Sequence, residues 1–162
     1  MNPGIDLEQV ENKIYDLFTK FAGKDWPIVW RDRGGARIGK NFVSLKIISG
    51  PSKVGNDDLV MDGTTQYVNG MRSILLSVQA FGKGSRTFLT NFVAFGQFPA
   101  WVAECGRLGL GQNNIPQVLD ITEILDTNFE ERMVADFGFY IGFQTRTDET
   151  WIEKFELAPE EV

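Results

Sequence analysis

The chain has 162 residues and an apolar content of 43%, which is enough for one globular domain with a buried core. It has no histidine and one cysteine, which excludes histidine-dependent nucleophile systems, histidine-ligated metal sites and an internal disulfide. The net charge of −6 is opposite in sign to that of most proteins that bind DNA freely, because phosphate contacts supply most of that affinity.

Targeting signals are not expected in this sequence. No stretch reaches the about 18 consecutive apolar residues of a membrane-spanning helix. The first residues also lack the basic and apolar regions of a secretory signal. We therefore expect a single domain over residues 1–162, with no membrane contact, that resides in the cytosol or in an assembly built there.

The first predicted element is an amphipathic helix. Asp6 followed by Gln9 resembles a capping box, which satisfies backbone amides at the start of a helix. Apolar residues recur at helical spacing from Leu7 to Phe21 and form one stripe. Gly23 predicts the end of the helix.

A basic, glycine-rich loop over residues 31–40 comes next. Residues 34–40 have the GxxxxGK spacing of a phosphate-binding loop, but Asn41 stands where such loops carry the Ser or Thr that binds Mg²⁺. A phosphate-binding loop must also lead into a helix, whereas residues 42–48 are β-prone. We therefore expect no nucleotide site here.

The same loop concentrates positive charge in an acidic chain. Its basic residues are Arg31, Arg33, Arg37 and Lys40, against one acidic residue, Asp32. One interpretation is a surface for an anionic partner, and the other is a solvated loop without a partner. Both interpretations stay open at the level of the sequence.

The middle of the chain predicts three strands, over residues 41–48, 59–68 and 71–81. Gly50 and Pro51 predict an end to the first strand, and the polar residues 52–58 predict an exposed loop. Asp62 and Gly63 predict a turn or bulge within the second strand.

Helical periodicity follows, on a helix that begins near Ser85 and carries three phenylalanines at helical spacing as core positions. Pro99 predicts the end of that helix or the start of a second helix over residues 100–108. Cys105 is interpreted as a small buried apolar side chain. Residues 108–114 predict a flexible connection.

The last third of the chain predicts a sheet. Apolar residues alternate with mostly polar ones over residues 132–144, which indicates a long strand with one apolar face. Short β-prone runs over residues 118–125 and 151–157 flank this strand, with polar turns at residues 127–130 and 145–150.

The order of predicted elements is one helix, three strands, one or two helices and three more strands. This order favours the α+β class, with an antiparallel β-sheet meander and helices packed on one face. The acidic residues 157–162 are expected to form a flexible tail.

Adjacent carboxylates are plentiful but are not expected to form a catalytic or metal site. The pairs are Asp57 and Asp58, Glu130 and Glu131, and Asp148 and Glu149. Adjacent residues in turns usually point apart into water, whereas a glycosidase or metal site needs carboxylates that converge in a pocket. We therefore predict no catalytic residue, no metal ligand and no cofactor.

Asp136 differs from these pairs because it lies inside the long predicted strand. Arg132 and Tyr140 project from the same face of that strand, which favours an ion pair or a subunit contact over chemistry. The predicted interface residues are therefore Arg31, Arg33, Arg37, Lys40, Asp57, Asp58, Arg132 and Asp136.

Several stretches share a pattern with one known family. They are MRSILLSVQAFG at residues 71–82, DITE at residues 120–123, FEERMVADFGF at residues 129–139 and WIEKF at residues 151–155. In this order, after an N-terminal helix, they resemble the neck or tail terminator proteins of tailed bacteriophages. The resemblance covers most of the chain and is one of architecture more than of a single motif.

The resemblance implies a structural virion protein and not an enzyme. Copies of such proteins form a ring, typically of six subunits, that caps the tail tube, stops tube polymerisation and joins the tail to the head-side connector. The implied partners are other copies of the chain, the tail tube protein and the connector, in a neck assembled in the host cytoplasm. DNA would pass through the ring without specific binding, and we expect Asp57, Asp58 or Glu130 to face the bore.

Three alternatives remain open. The chain could be another phage subunit, of the tube or of the head-completion complex. It could also be an acidic protein-binding module with no viral role, which would be a stable monomer that ignores tail tubes. A nucleotide-dependent enzyme would depend on residues 34–40.

Overall fold

The computed structural model describes residues 4–33, 39–125 and 128–147, and these residues adopt an α+β fold. The helices in this part of the chain are α1 (Leu7–Ala22), α2 (Ser85–Phe95) and α3 (Pro99–Leu108), and a 3-10 turn spans Arg31–Arg33. The strands are β1 (Ile28–Trp30), β2 (Phe42–Asp62), β3 (Thr65–Phe81), β4 (Leu110–Gln112), β5 (Leu119–Asp120), β6 (Glu123–Leu125), β7 (Asn128–Glu130) and β8 (Arg132–Thr147).

The main sheet is mixed, although most of its strand pairs are antiparallel. Its strands lie in the order β1-β2-β3-β8-β4, and β5 also pairs with β8. β1 runs parallel to β2, and β6 and β7 form a separate hairpin. The predicted α+β class is confirmed, but the purely antiparallel meander is wrong. β1 and β2 are parallel, and a parallel pair needs a connection long enough to return the chain to the start of the neighbouring strand. β3 and β8 are neighbours in the sheet, but α2 and α3 lie between them in the sequence.

Helix α1 confirms the pattern predicted for it. The backbone N–H of Gln9 donates to Asp6 Oδ1 at 3.1 Å, and the helix ends before Gly23, whose φ of 80° favours glycine. Val10, Ile14 and Leu17 of the predicted apolar stripe are buried, whereas Leu7 at its start is 48% exposed. The predicted starts of α2 near Ser85 and of α3 at Pro99 are also confirmed.

Four aromatic rings from four elements meet in the core, namely Phe18 of α1, Phe92 of α2, Trp101 of α3 and Phe137 of β8. The centroid of the Phe18 ring lies 5.2 Å from that of Phe92, 5.6 Å from Trp101 and 5.3 Å from Phe137. Stacked and edge-on ring pairs of this kind add to the energy of apolar burial. The three helices therefore share one core with the apolar face of β8.

β2 runs without interruption to Asp62, so the strand end predicted at Gly50 and Pro51 and the loop predicted at residues 52–58 are both wrong. The register between β2 and β3 shifts at three places in this region, so bulges accommodate residues that would otherwise end a strand. Gly50 adopts a φ of 94°, and a side chain at this position would collide with the main chain of β3. The turn predicted at Asp62 and Gly63 is confirmed, but it joins β2 to β3, so the single strand predicted over residues 59–68 is wrong.

Two further connections are more regular than predicted. β4 lies inside the flexible connection predicted at residues 108–114, and Leu110 pairs with Ile141 of β8. β7 lies inside the turn predicted at residues 127–130 and pairs with β6. In both cases a distant or neighbouring strand provides hydrogen-bond partners that local composition does not reveal.

β8 also extends to Thr147, into the turn predicted at residues 145–150. The strand predicted at residues 151–157 and the tail at residues 157–162 lie outside the described residues. Within the described residues, none of the helices is both long enough and apolar enough to cross a membrane.

We expect Phe137→Ala to lower the free energy of unfolding by about 3–5 kcal/mol, because it leaves a cavity among three other rings. Chemical denaturation followed by circular dichroism measures this change. Tyr140→Ala is the matched control, because Tyr140 lies on the same strand, on the opposite face, and is exposed. Its effect should stay within about 1 kcal/mol, and equal losses in the two variants would contradict the position of the core.

Glu104 is a buried carboxylate that joins α1 to α3. It accepts hydrogen bonds from Lys20 Nζ at 2.7 Å and from Arg107 Nη2 at 2.5 Å. The hydrogen bonds from Arg107 and then from Lys20 lower the pKa of Glu104 from 4.5 to about 2. Because this pKa is depressed in the folded state, the stabilisation is complete above about pH 4.5 and is lost as the pH falls toward 2.

Wild type should therefore be more stable than Glu104→Gln at neutral pH, and the two should converge between pH 4.5 and 2. Calorimetric Tm values measured against pH test this expectation. Asp62→Asn, which changes an exposed carboxylate at the turn between β2 and β3, is the control and should follow wild type. A difference between wild type and Glu104→Gln that does not vary with pH would be the contrary result.

Candidate functional site

Beyond the core, the sheet continues as a three-stranded arm, which we define as residues 52–73 and 142–147. β2, β3 and β8 remain paired along it, with Asp62 opposite Thr65 and Gln66 opposite Thr147. None of the described side chains of the arm belongs to the buried apolar core. The arm is therefore held by strand pairing and polar contacts and not by the helices.

An ion pair on β2 and β3 holds the inner part of the arm. Arg72 donates from Nη1 and Nη2 to the two carboxylate oxygens of Asp57, at 2.7 and 2.9 Å, and its guanidinium lies 3.9 Å from the centre of the Phe143 ring. Hydrogen bonding from Arg72 also lowers the pKa of Asp57. A side chain at Gly70 would collide with the Asp57 carboxylate. We call this set of four residues the clamp.

The position of Asp57 in the clamp corrects one prediction. Its side chain is 15% exposed and paired with Arg72, so the expectation that it points into water is wrong. The physical reason is the bulge between Val54 and Asp58, which turns Asp57 toward Arg72 on the neighbouring strand. Asp58, the adjacent member of the predicted pair, is exposed. The expectation that Asp57, Asp58 or Glu130 faces a bore stays a prediction.

The outer part of the arm carries an apolar tip at Leu59, Val60 and Met61, which are 61%, 45% and 46% exposed. Successive strand residues point to opposite faces, so the tip is apolar on both faces. β1 pairs only with residues 43–45 of β2, so the outer edge of β2 along the arm has no strand partner among the described residues. Exposed apolar residues on an open strand edge are typical of surfaces by which proteins associate, so the tip is a candidate contact surface.

The basic loop is partly paired within the chain. Arg33 forms an ion pair with Glu11 at 2.6 Å, and Lys46 lies 3.4 Å from Asp32. Lys40 is exposed, and the strand predicted after it is confirmed as β2. Arg37 lies outside the described residues. In the described part of the loop, the charge of Arg33 is therefore paired within the chain, whereas Lys40 is exposed to solvent.

Two predicted interface residues, Arg31 and Arg132, converge on the outer face of the sheet, which is the face opposite the helices. Arg31 Nη2 and Arg132 Nη2 donate to the same atom, Gln79 Oε1, at 2.8 and 2.7 Å. Gln79 is buried, and the Arg132 guanidinium lies 4.9 Å from the centre of the Phe81 ring. Among the described residues, no carboxylate pairs with either arginine.

Asp136 does not form the ion pair that was one of the two predictions for it. Arg132, the basic residue on its face, turns instead to Gln79. Within the described part of the chain, Asp136 Oδ1 is buried and accepts no hydrogen bond, while its backbone carbonyl accepts one from Asn114. A subunit contact stays a prediction for Asp136.

Glu131 has a role that the sequence analysis missed. Its carboxylate accepts hydrogen bonds from the backbone N–H groups of Gly84 and Arg86, both at 3.0 Å, at the start of α2. These bonds, the one from Arg86 first, lower the pKa of Glu131. The expectation that Glu131 points into water is therefore wrong. The sequence contained one signal for this role. Gly84 precedes α2 and has no side chain, so the first backbone N–H groups of the helix need an acceptor from elsewhere in the chain.

A groove of about 640 Å³ lies between the end of α2, α3 and β4, and the sequence analysis did not anticipate it. Val102, Cys105, Gln112 and Ile115 are among the residues that line it. Burial raises the pKa of the Cys105 thiol to about 11, and the predicted burial of this residue is confirmed. A neutral thiol at this position is a poor nucleophile.

No protein-family model and no curated protein matches the chain. Among the described residues, no group of three or more His, Cys, Asp or Glu side chains could hold a metal ion. The arm with its apolar tip and the pair of arginines on the outer face are candidate surfaces for contact with a partner or ligand.

We expect Gly70→Ala to loosen the arm, because the added methyl group displaces the Asp57 carboxylate from Arg72. Amides of residues 54–60 should exchange with deuterium about tenfold faster, which reports local opening. Gly142→Ala is a matched control on the neighbouring strand of the arm, where an added methyl group meets nothing within 4 Å. Equal exchange in the two variants would show that the clamp does not hold the arm.

Proposed function

We propose that this chain is a structural virion protein whose copies form a ring of six at the neck of a tailed bacteriophage. The ring would cap the tail tube, stop tube polymerisation and join the tail to the head-side connector. The observation that carries this proposal is the three-stranded arm, which extends past the core with an apolar tip and an open strand edge. The architectural resemblance to tail terminators supplies the class of partner.

The apolar tip supports a binding role for the arm. Burying a side chain such as Leu59, Val60 or Met61 contributes about 1.5–3 kcal/mol when the side chain is fully exposed beforehand. The clamp keeps the inner arm ordered without help from the helices. An arm that is ordered before it binds loses less conformational entropy on contact with the end of a tube.

The two edges of the sheet support ring closure. The edge of β2 along the arm, beyond the residues that pair with β1, lies on one side and β4 on the other, and neither has a further strand partner among the described residues. Contacts between unlike edges of successive copies are heterologous, and such contacts close into a ring when the rotation per subunit divides a full turn. The number six comes from the resemblance.

DNA would pass through this ring without being held. The net charge of −6 disfavours non-specific binding to phosphates. Asp58 and Asp62 are exposed acidic residues on the arm and could contribute to an acidic wall. Asp57 could not, because Arg72 already neutralises it.

The decisive experiment is electron microscopy of lysates from the phage that encodes the chain, after disruption of its gene. Filled heads beside unattached or overlong tails are the expected result. Normal particles, with tails joined to heads, would contradict the proposal. A protein-binding module without a viral role would then be the better account, and it would be a monomer that does not bind tail tubes.

The arm itself is tested by complementation of the disrupted gene with the double variant Leu59→Glu, Met61→Glu. We expect this variant to fold with an unchanged Tm and to leave heads and tails unjoined, because two charges on the tip oppose its burial. Tyr15→Glu, on the exposed side of α1, is the control and should restore joined particles. Normal assembly with the arm variant would exclude the tip as a contact surface.

A further inference from the structure

Arg31 and Arg132 are placed close together by elements that are far apart in the chain. Both donate to Gln79 Oε1, at 2.8 and 2.7 Å. The distance between their Nη2 atoms therefore cannot exceed the sum of these two lengths, about 5.5 Å. Two positive charges at this separation repel one another. Gln79 offers them a neutral carbonyl oxygen, which compensates less than a carboxylate would.

We propose that Arg31, Arg132 and Gln79 form a binding site for one oxyanion, a carboxylate or a phosphate, on the outer face of the sheet. The oxyanion would bridge the two guanidinium groups and neutralise their repulsion. Nothing in this proposal depends on ring assembly, because the site lies within one copy of the chain.

The site is ordered before any ligand binds. Arg132 stands at the start of β8, stacks on Phe81 and bonds to Gln79, which is buried. Arg31 follows β1 directly in the 3-10 turn and reaches Gln79 from the other side. Planar guanidinium groups fixed in this way match the oxygen pairs of carboxylates and phosphates.

Unused donors point to a missing acceptor. Arg132 Nε is buried and donates to nothing among the described residues. Each guanidinium carries five N–H donors in general, and Gln79 takes only one from each arginine. A bound oxyanion would accept hydrogen bonds from the remaining donors of both residues. It would also supply the negative charge that the neutral amide oxygen of Gln79 lacks.

A single oxyanion suits this site better than a nucleic acid does. Nucleic acid binding draws on many phosphate contacts along a positive surface, whereas this chain carries a net charge of −6. Two arginines on an acidic protein form a local site whose reach is limited by screening to about 10 Å. The ligand is therefore one carboxylate or one phosphate group, free or carried by a partner.

The test is a titration with sodium phosphate and, separately, with sodium acetate, at an ionic strength held constant with sodium chloride. Nuclear magnetic resonance follows the Arg31 and Arg132 Nε–H signals and the Gln79 side-chain amide. We expect saturable shifts, which Arg31→Gln weakens by about tenfold or more in affinity. Arg31 is exposed and bonds only to Gln79 among the described residues, so this variant should fold even if Arg132→Gln does not.

Gln79→Glu and Lys83→Gln complete the design. Glutamate at position 79 would supply the carboxylate from within the chain, so we expect a higher Tm and no response to phosphate or acetate. Lys83→Gln removes one exposed positive charge elsewhere and should titrate like wild type. Saturation by both anions, or by phosphate alone, supports the site and identifies the group it accepts. Shifts that do not saturate, an affinity that is unchanged in Arg31→Gln, or saturable shifts that persist in Gln79→Glu would overturn it.

Discussion

The pairing of β3 with β8 is the interaction on which the rest of the structure depends. It runs from Phe81 opposite Arg132 to Gln66 opposite Thr147, so one ladder connects the core to the end of the arm. At the core end it positions Phe137 among the rings of the three helices. At the arm end it places Phe143 under Arg72. The arm would be a two-stranded hairpin without β8, and such hairpins are marginally stable in water.

The two faces of the sheet differ because only one of them packs against the helices. The apolar face closes the core and leaves little surface for a partner. The outer face carries Gln79 with its two arginines and the buried oxygen of Asp136, so its polar groups are incompletely satisfied by the residues that the structure describes. Incompletely satisfied polar groups cost stability, and a partner or ligand that completes them recovers part of that cost. The arm adds an exposed apolar surface to this polar one.

Much of the fold could be predicted from local signals, and the exceptions share a cause. α1, α2, α3, the turn at Gly63 and the long alternating strand were predicted because capping, periodicity and glycine act over a few residues. Residues 52–58 were predicted as a loop because they are polar and follow Gly50 and Pro51. They form a strand because β3 pairs with them and bulges absorb the irregular positions. The same reason explains β4, a three-residue strand that exists only beside β8.

The candidate site divides in the same way. The sequence by itself determined which residue types are present: no histidine, one cysteine, a basic loop in an acidic chain, and a strand with one apolar face. Only the tertiary structure decided their partners. It paired Asp57 with Arg72, turned Glu131 toward the start of α2, and brought Arg31 and Arg132 to one oxygen of Gln79. These contacts join residues 15 to 53 positions apart in the sequence. Pairing at such separations depends on strand register and packing, which local composition does not determine.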